Sequence, residues 1–144
     1  MRYFDVRPDV AGGLGDRTVL DTHVHPPIIH KLHYEIEGWF GDALVTTFPC
    51  FLVTEEAKQA LLKMNISGAN FADAEITTSN EFHELQPEQD LPDFVWLKVD
   101  GRAGHDDFGI ASNYDLVISE RVLDLFERLG LPSAVIEPFI ENKS

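Results

Sequence analysis

Phe51-Leu52-Val53-Thr54-Glu55 and Leu116-Val117-Ile118-Ser119-Glu120 superpose without a gap at an offset of 65 residues. Carried forward, the same offset pairs Ala57 with Val122, Ala60 with Leu125, Leu61 with Phe126 and Met64 with Leu129. It then pairs Ile66 with Leu131 and Ala69 with Ala134. Each apolar position meets an apolar one. In both copies a short apolar strand runs into a hydroxyl residue, Thr54 or Ser119, that can cap the free N–H groups opening a helix. Glu55 and Glu120 follow in the first turn, where the helix dipole favours negative charge. The apolar residues then recur at i, i+3, i+4 and i+7, the stripe of one helix face. Asn65 and Gly130 close the helices, being residue types that tolerate a left-handed stop.

A second strand is expected after each helix, from about Ala69 to Ile76 and from about Ser133 to Ile140. Beyond Phe71 and Ile136 the correspondence decays, and Pro138 has no counterpart. The chain therefore holds a duplicated strand–helix–strand unit, at about 50–76 and 115–140.

Outside the repeat, Lys31 to Glu37 alternates, with Leu32, Tyr34 and Ile36 on one face and Lys31, His33, Glu35 and Glu37 on the other, as in a half-buried strand. Phe94 to Val99 reads as a strand ended by the turn signal Asp100-Gly101, and Arg2 to Val6 as a short opening strand. Gly12-Gly13-Leu14-Gly15 reads as a loop, and Gln86 to Pro92 as a polar, proline-bounded connector. The expectation is one domain over residues 1–144, of α/β or α+β class, with a mixed sheet and two short helices.

Composition narrows the function. With 44% hydrophobic and 25% charged residues the chain is ordinary globular protein. No apolar run reaches the roughly 18–20 residues of a membrane span, and the N-terminus lacks the apolar core of a signal peptide. Cys50 is the single cysteine, so no internal disulfide forms, and a cytoplasmic location is expected. The net charge of −14 disfavours nucleic-acid backbones and anionic membrane surfaces as partners.

That charge is uneven. From Asp73 to Asp107 ten acids stand against Lys98 and Arg102, a local net of −8. Such a block is either a solvated face or a docking surface that steers a basic protein. On the second reading the contact residues are Glu81, Glu84, Glu88, Asp90, Asp93, Asp106 and Asp107. Trp39, set among glycines, would be their aromatic anchor.

Three local patterns bear on catalysis. Asp21-Thr22-His23-Val24-His25-Pro26 resembles the first metal-binding motif of the amidohydrolase superfamily, since spacing of two puts His23 and His25 on one face of a strand. The barrel that completes such a site takes about 250 residues, more than this chain has. Asp107-Phe108-Gly109 echoes a kinase triplet without the loop, lysine strand and catalytic loop that give it meaning. Cys50 has no base in a recognisable signature and reads as a buried small side chain, as Trp96 reads as core.

The tail, Leu116-Val117-Ile118-Ser119-Glu120-Arg121-Val122-Leu123-Asp124-Leu125-Phe126, then Leu129-Gly130-Leu131 and Val135-Ile136-Glu137-Pro138-Phe139, is similar to the C-terminal segment of certain bacterial immunity proteins of polymorphic toxin systems. It is also similar to that of related uncharacterised bacterial proteins. Gly38-Trp39-Phe40-Gly41-Asp42 and Pro49-Cys50-Phe51 look like a block found in the same group. The resemblance implies a protein without catalytic activity or cofactor that neutralises a toxin by binding it. The alternatives are a small metal-dependent hydrolase centred on Asp21, His23 and His25, and a structural subunit that pairs through a sheet edge.

Overall fold

The structure, a computed structural model, describes residues 2–140. In chain order the elements begin β1 (Tyr3–Arg7), β2 (Gly12–Leu14), β3 (Val19–Asp21), β4 (Ile28–Lys31), β5 (His33–Ile36) and β6 (Leu44–Thr47). They continue through β7 (Cys50–Thr54), α1 (Glu55–Lys63), β8 (Ala69–Ala72), β9 (Glu75–Thr78), α2 (Asn80–Leu85) and β10 (Phe94–Val99). The last described elements are β11 (Phe108–Ile110), β12 (Leu116–Ser119), α3 (Glu120–Leu129) and β13 (Val135–Pro138). The protein is one mixed α+β domain with several sheets.

Two four-stranded sheets dominate, in the orders β6-β7-β10-β8 and β11-β12-β1-β13. Every pairing within them is antiparallel. In each sheet the two strands of a strand–helix–strand unit are parallel but not adjacent, because one antiparallel strand is inserted between them. In the first unit the inserted strand is β10, and in the second it is β1 from the far end of the chain. The registers match position by position. Trp96 lies opposite Leu52 and Ala72, while Asp5 lies opposite Val117 and Glu137, and both flanking pairs obey the offset of 65. The preceding hairpins correspond too, with Leu44 opposite Val53 and Phe108 opposite Ile118.

The two sheets are also stitched to each other. Asp9, just past β1, bridges Val45 of β6, and Arg102, just past β10, bridges Ile110 of β11. Each inserted strand thus continues onto the edge of the other sheet. Between the sheets lies a shared core that includes Val6, Val53, Leu61, Leu97, Ile118 and Phe126, with α1 touching α3. Leu61 and Phe126 are both fully buried. Burying side chains of this size contributes about 1.5–3 kcal/mol each.

A small third sheet covers the first one. β5 pairs with β2 and, in parallel, with β9. Its Leu32, Tyr34 and Ile36 face join Leu52, Trp96 and Phe82 in a second core on the outer side of the first sheet. Residues of β7 therefore point alternately into two cores, which is why Phe51-Leu52-Val53 is apolar at every position.

Several local expectations are corrected. The glycine run expected as a loop contains β2, because a Cβ at Gly12 would collide with the Glu35 carbonyl, so the glycine permits a close strand approach. The single strand expected over Ala69–Ile76 is two, β8 and β9, in different sheets. The last strand is shorter than expected, ending at Pro138. His33, expected to face outward, is buried, with its ring against the Arg17 N–H at 3.1 Å and the Thr77 hydroxyl at 2.8 Å. A third helix, α2, forms just before the expected connector, over residues for which no element was expected, opened by the Ser79 hydroxyl accepting from Phe82 N at 3.1 Å.

Candidate functional site

α2 is short, and that shapes its surface. Phe82 turns into the second core. Leu85, three residues on, would follow it on a longer helix, but the helix ends there and Leu85 is 77% exposed. Glu81 and Glu84 are exposed beside it, and Glu88, Asp90 and Asp93 extend the exposed acids along the following connector. None of these five carboxylates has an ion-pair partner among the described residues.

Gln86 ties this surface to a second segment. Its Oε1 accepts from Trp39 N at 2.8 Å, and its Nε2 donates to Trp39 O at 2.9 Å. Trp39 itself is half-buried, with its indole N–H donating to Asp42 O at 2.8 Å and its ring edge-on to Phe94. It is therefore a strut rather than the exposed anchor expected of it. The neighbouring Phe40 has that exposure, at 66%. Its ring and the Gln86 amide both come within 4 Å of the space a Cβ on Gly38 would fill. Phe40 and Leu85 thus flank Gln86 as two exposed apolar groups on an acidic surface. Their exposure leaves no trace in periodicity, since it follows from where α2 stops and how Gln86 holds the backbone of Trp39.

Asp106 and Asp107, grouped with this surface in sequence, do other work. Asp106 accepts from Arg102 N at 2.7 Å and closes a turn. Asp107 is buried, and receives the Ser119 hydroxyl at 2.7 Å, Ser67 N at 3.0 Å and Arg121 Nη2 at 2.6 Å. Hydrogen bonding from Arg121, with help from Ser119 and the Ser67 N–H, holds its carboxyl down at about 2. Arg121 also donates to Met64 O at 3.0 Å, at the C-terminus of α1, so Asp107 joins the two units and is not free surface charge. Ser119, expected to cap α3, makes no cap bond because its hydroxyl is spent on Asp107.

His23 and His25 lie in a bend between β3 and β4, not on a strand, so the shared face expected of them does not exist. The His23 ring sits 2.9 Å from Asp21 and is nearly fully exposed. His25 stacks on Phe48 and meets Tyr114 edge-on. Among the described residues no three His, Cys, Asp or Glu side chains converge as metal ligands. The Cys50 thiol is buried, which pushes it up to about 12.

Two carboxyl pairs form that nothing in the sequence singles out, because their members come from distant segments. Asp5 is pushed up to about 6, first by burial and then by Asp115, which also receives Arg7 Nε at 3.4 Å. Asp9 is raised by burial and by the nearby Asp42. Asp42 accepts from Ser133 N at 2.9 Å, while its other oxygen is buried without a partner among the described residues, as is one oxygen of Asp9.

No protein-family model, curated protein or solved structure matches this chain. No helix among the described residues is long and apolar enough to cross a membrane.

Proposed function

We propose that this is a non-catalytic cytoplasmic binding protein whose partner is a basic protein docking on the face made by α2, its connector and Phe40. The observation that carries the reading is the pairing of two exposed apolar side chains, Leu85 and Phe40, with five exposed carboxylates that have no ion-pair partner among the described residues. Interfaces draw most of their affinity from a few apolar anchors, while rim charge sets encounter rate and partner choice. An acidic rim selects a basic partner and repels nucleic acid and anionic membrane.

The similarity of residues 116–139 to immunity proteins suggests a toxin as that partner. Those residues form β12, α3 and β13, a scaffold, so the likeness bears on the kind of protein and not on which surface binds. The test is co-expression with the product of the neighbouring open reading frame. The expected result is protection of the cells and copurification of a complex that dissociates as salt is raised. A complex that forms equally well with Leu85→Ala and Phe40→Ala would overturn the assignment of the face, and the absence of any complex would overturn the partner.

A further inference from the structure

The two sheets do not close on each other completely. A cavity of about 580 Å³ is lined by residues of both, taking in Val6, Phe51, Leu97 and Leu116 of the shared core and Cys50 and Trp96 of the second core, within the range of roughly 300–1,000 Å³ usual for small-molecule sites. Both units build its walls from matched positions. Val6 and Leu116, paired across β1 and β12, face Leu97 and Phe51, paired across β10 and β7. The next residue of each inserted strand also lines the space, and in both cases it is a cation: Arg7 after Val6, Lys98 after Leu97.

The two cations are not equivalent in charge balance. Arg7 is offset by Asp115, which lines the same cavity. Lys98 forms no ion pair among the described residues. Its ammonium rests 4.8 Å from the centre of the Trp96 ring, which is itself part of the wall. In a chain of net charge −14, an uncompensated ammonium at an apolar cavity is the departure that asks for a ligand.

The mouth is apolar and aromatic. Val10, Ile28, Phe48 and Tyr114 line it and are all exposed by more than a third. Phe48 and Tyr114 are 6.0 Å apart, and His25 meets both rings. Tyr114 holds this place with φ at +69°, a conformation that costs a bulky residue free energy. The turn that fixes it includes Tyr114 N donating to Ala111 O at 2.9 Å.

We infer that this cavity binds a small amphipathic carboxylate, with its apolar chain or ring against the Val6, Phe51, Leu97 and Leu116 wall and its carboxylate on Lys98. The site shares no lining residue with the acidic face and stands independently of that reading. A neutral molecule of the same shape would use the walls but leave Lys98 unpaired, so the charged form binds tighter. A dication or polyamine is disfavoured by Lys98 and Arg7 together.

Trp96 reports on the site. The full-length protein is titrated with decanoate and 1-naphthoate, kept below micelle-forming concentrations, and with decanol as the neutral counterpart of decanoate. Tryptophan fluorescence is followed, and decanoate is checked by calorimetry. The expectation is saturable one-to-one binding of at least one carboxylate, about tenfold or more tighter than decanol if decanoate is the binder. Lys98→Gln is exposed and should fold. It is expected to weaken the carboxylate about tenfold and leave decanol unchanged. Cys50→Leu, which fills space at the wall, is expected to weaken both. Failure of both carboxylates to saturate would overturn the inference, as would equal binding of decanoate and decanol or indifference of the binding carboxylate to Lys98→Gln.

Discussion

The outer faces of the two four-stranded sheets occupy equivalent positions and could hardly differ more in chemistry. On the first, Leu52, Trp96, Ala72 and Val45 form an apolar surface that β5 and α2 cover. On the second, the matched positions are Val117, Asp5, Glu137 and Gly109, and those covering elements have no counterpart. Asp5 and Glu137 lie directly opposite each other, an unfavourable pairing of like charges, and burial first, then Asp115 and lastly Glu137 push Asp5 up to about 6. The lesson is that one scaffold was used twice with different finishing. One copy was roofed by the segments that also carry the proposed binding face; the other kept a polar, carboxylate-bearing surface.

The comparison predicts a graded set of effects. Leu61→Asp and Phe126→Asp place an unpaired carboxylate at matched positions of the shared core, where both parents are fully buried. Each is expected to abolish cooperative unfolding, and a folded variant of either would break the claim of one core. Trp96→Ala should cost about 3–5 kcal/mol in denaturant melts, as for large-to-small changes in a core. The matched Asp5→Ala should cost less than about 1 kcal/mol, since a half-buried carboxyl is partly screened by solvent. Equal costs would mean the two outer faces are not different environments.

Asp107→Ala comes next, at about 2–4 kcal/mol, because it strands the Ser119 hydroxyl and the Ser67 N–H and leaves Arg121 without its carboxylate. Thr54→Ala should cost about 1 kcal/mol, the usual worth of an N-cap, since Thr54 Oγ1 accepts from Ala57 N at 3.2 Å.

The pH dependences run in opposite directions. Asp107 has a carboxyl lowered by folding, so its stabilisation is complete above pH 4 and is lost as pH falls through about 2. Asp5 is raised by folding, so the folded state holds its proton more tightly. Its contribution is largest below about pH 4 and is lost as pH rises through about 6. Asp5→Asn is expected to flatten the stability profile between pH 4 and 6, and an unchanged profile would remove Asp5 as its source.

The duplicated strands and helices were legible because their signals are local: an apolar run, a hydroxyl, a glutamate, a helical stripe. The inserted strands were not legible as equivalents. β1 and β10 hold matched places yet share almost no sequence, since strand pairing across the chain leaves no local trace. β2 was hidden by glycines whose use depends on the approach of β5. α2 was hidden by its brevity, and with it the exposure of Leu85. Of the residues expected at the binding face, Glu81, Glu84, Glu88, Asp90 and Asp93 lie together on α2 and the connector after it. Trp39 and Asp107 turn inward because their polar atoms are claimed by Asp42 O and by Arg121, partners that no spacing rule anticipates.

The central claim is that recognition belongs to the covering segments and not to the repeated scaffold. Its most direct test is a salt-dependent affinity measurement between the purified chain and the basic product of the neighbouring open reading frame. Two variants of equal charge change are compared. One carries Glu81→Lys, Glu84→Lys and Glu88→Lys, and the other Glu56→Lys, Asp124→Lys and Glu127→Lys on exposed positions of α1 and α3. The account predicts that the first loses affinity about a hundredfold or more and most of its salt dependence, while the second changes less than about threefold. Equal losses in the two variants, or a greater loss in the scaffold variant, would contradict it.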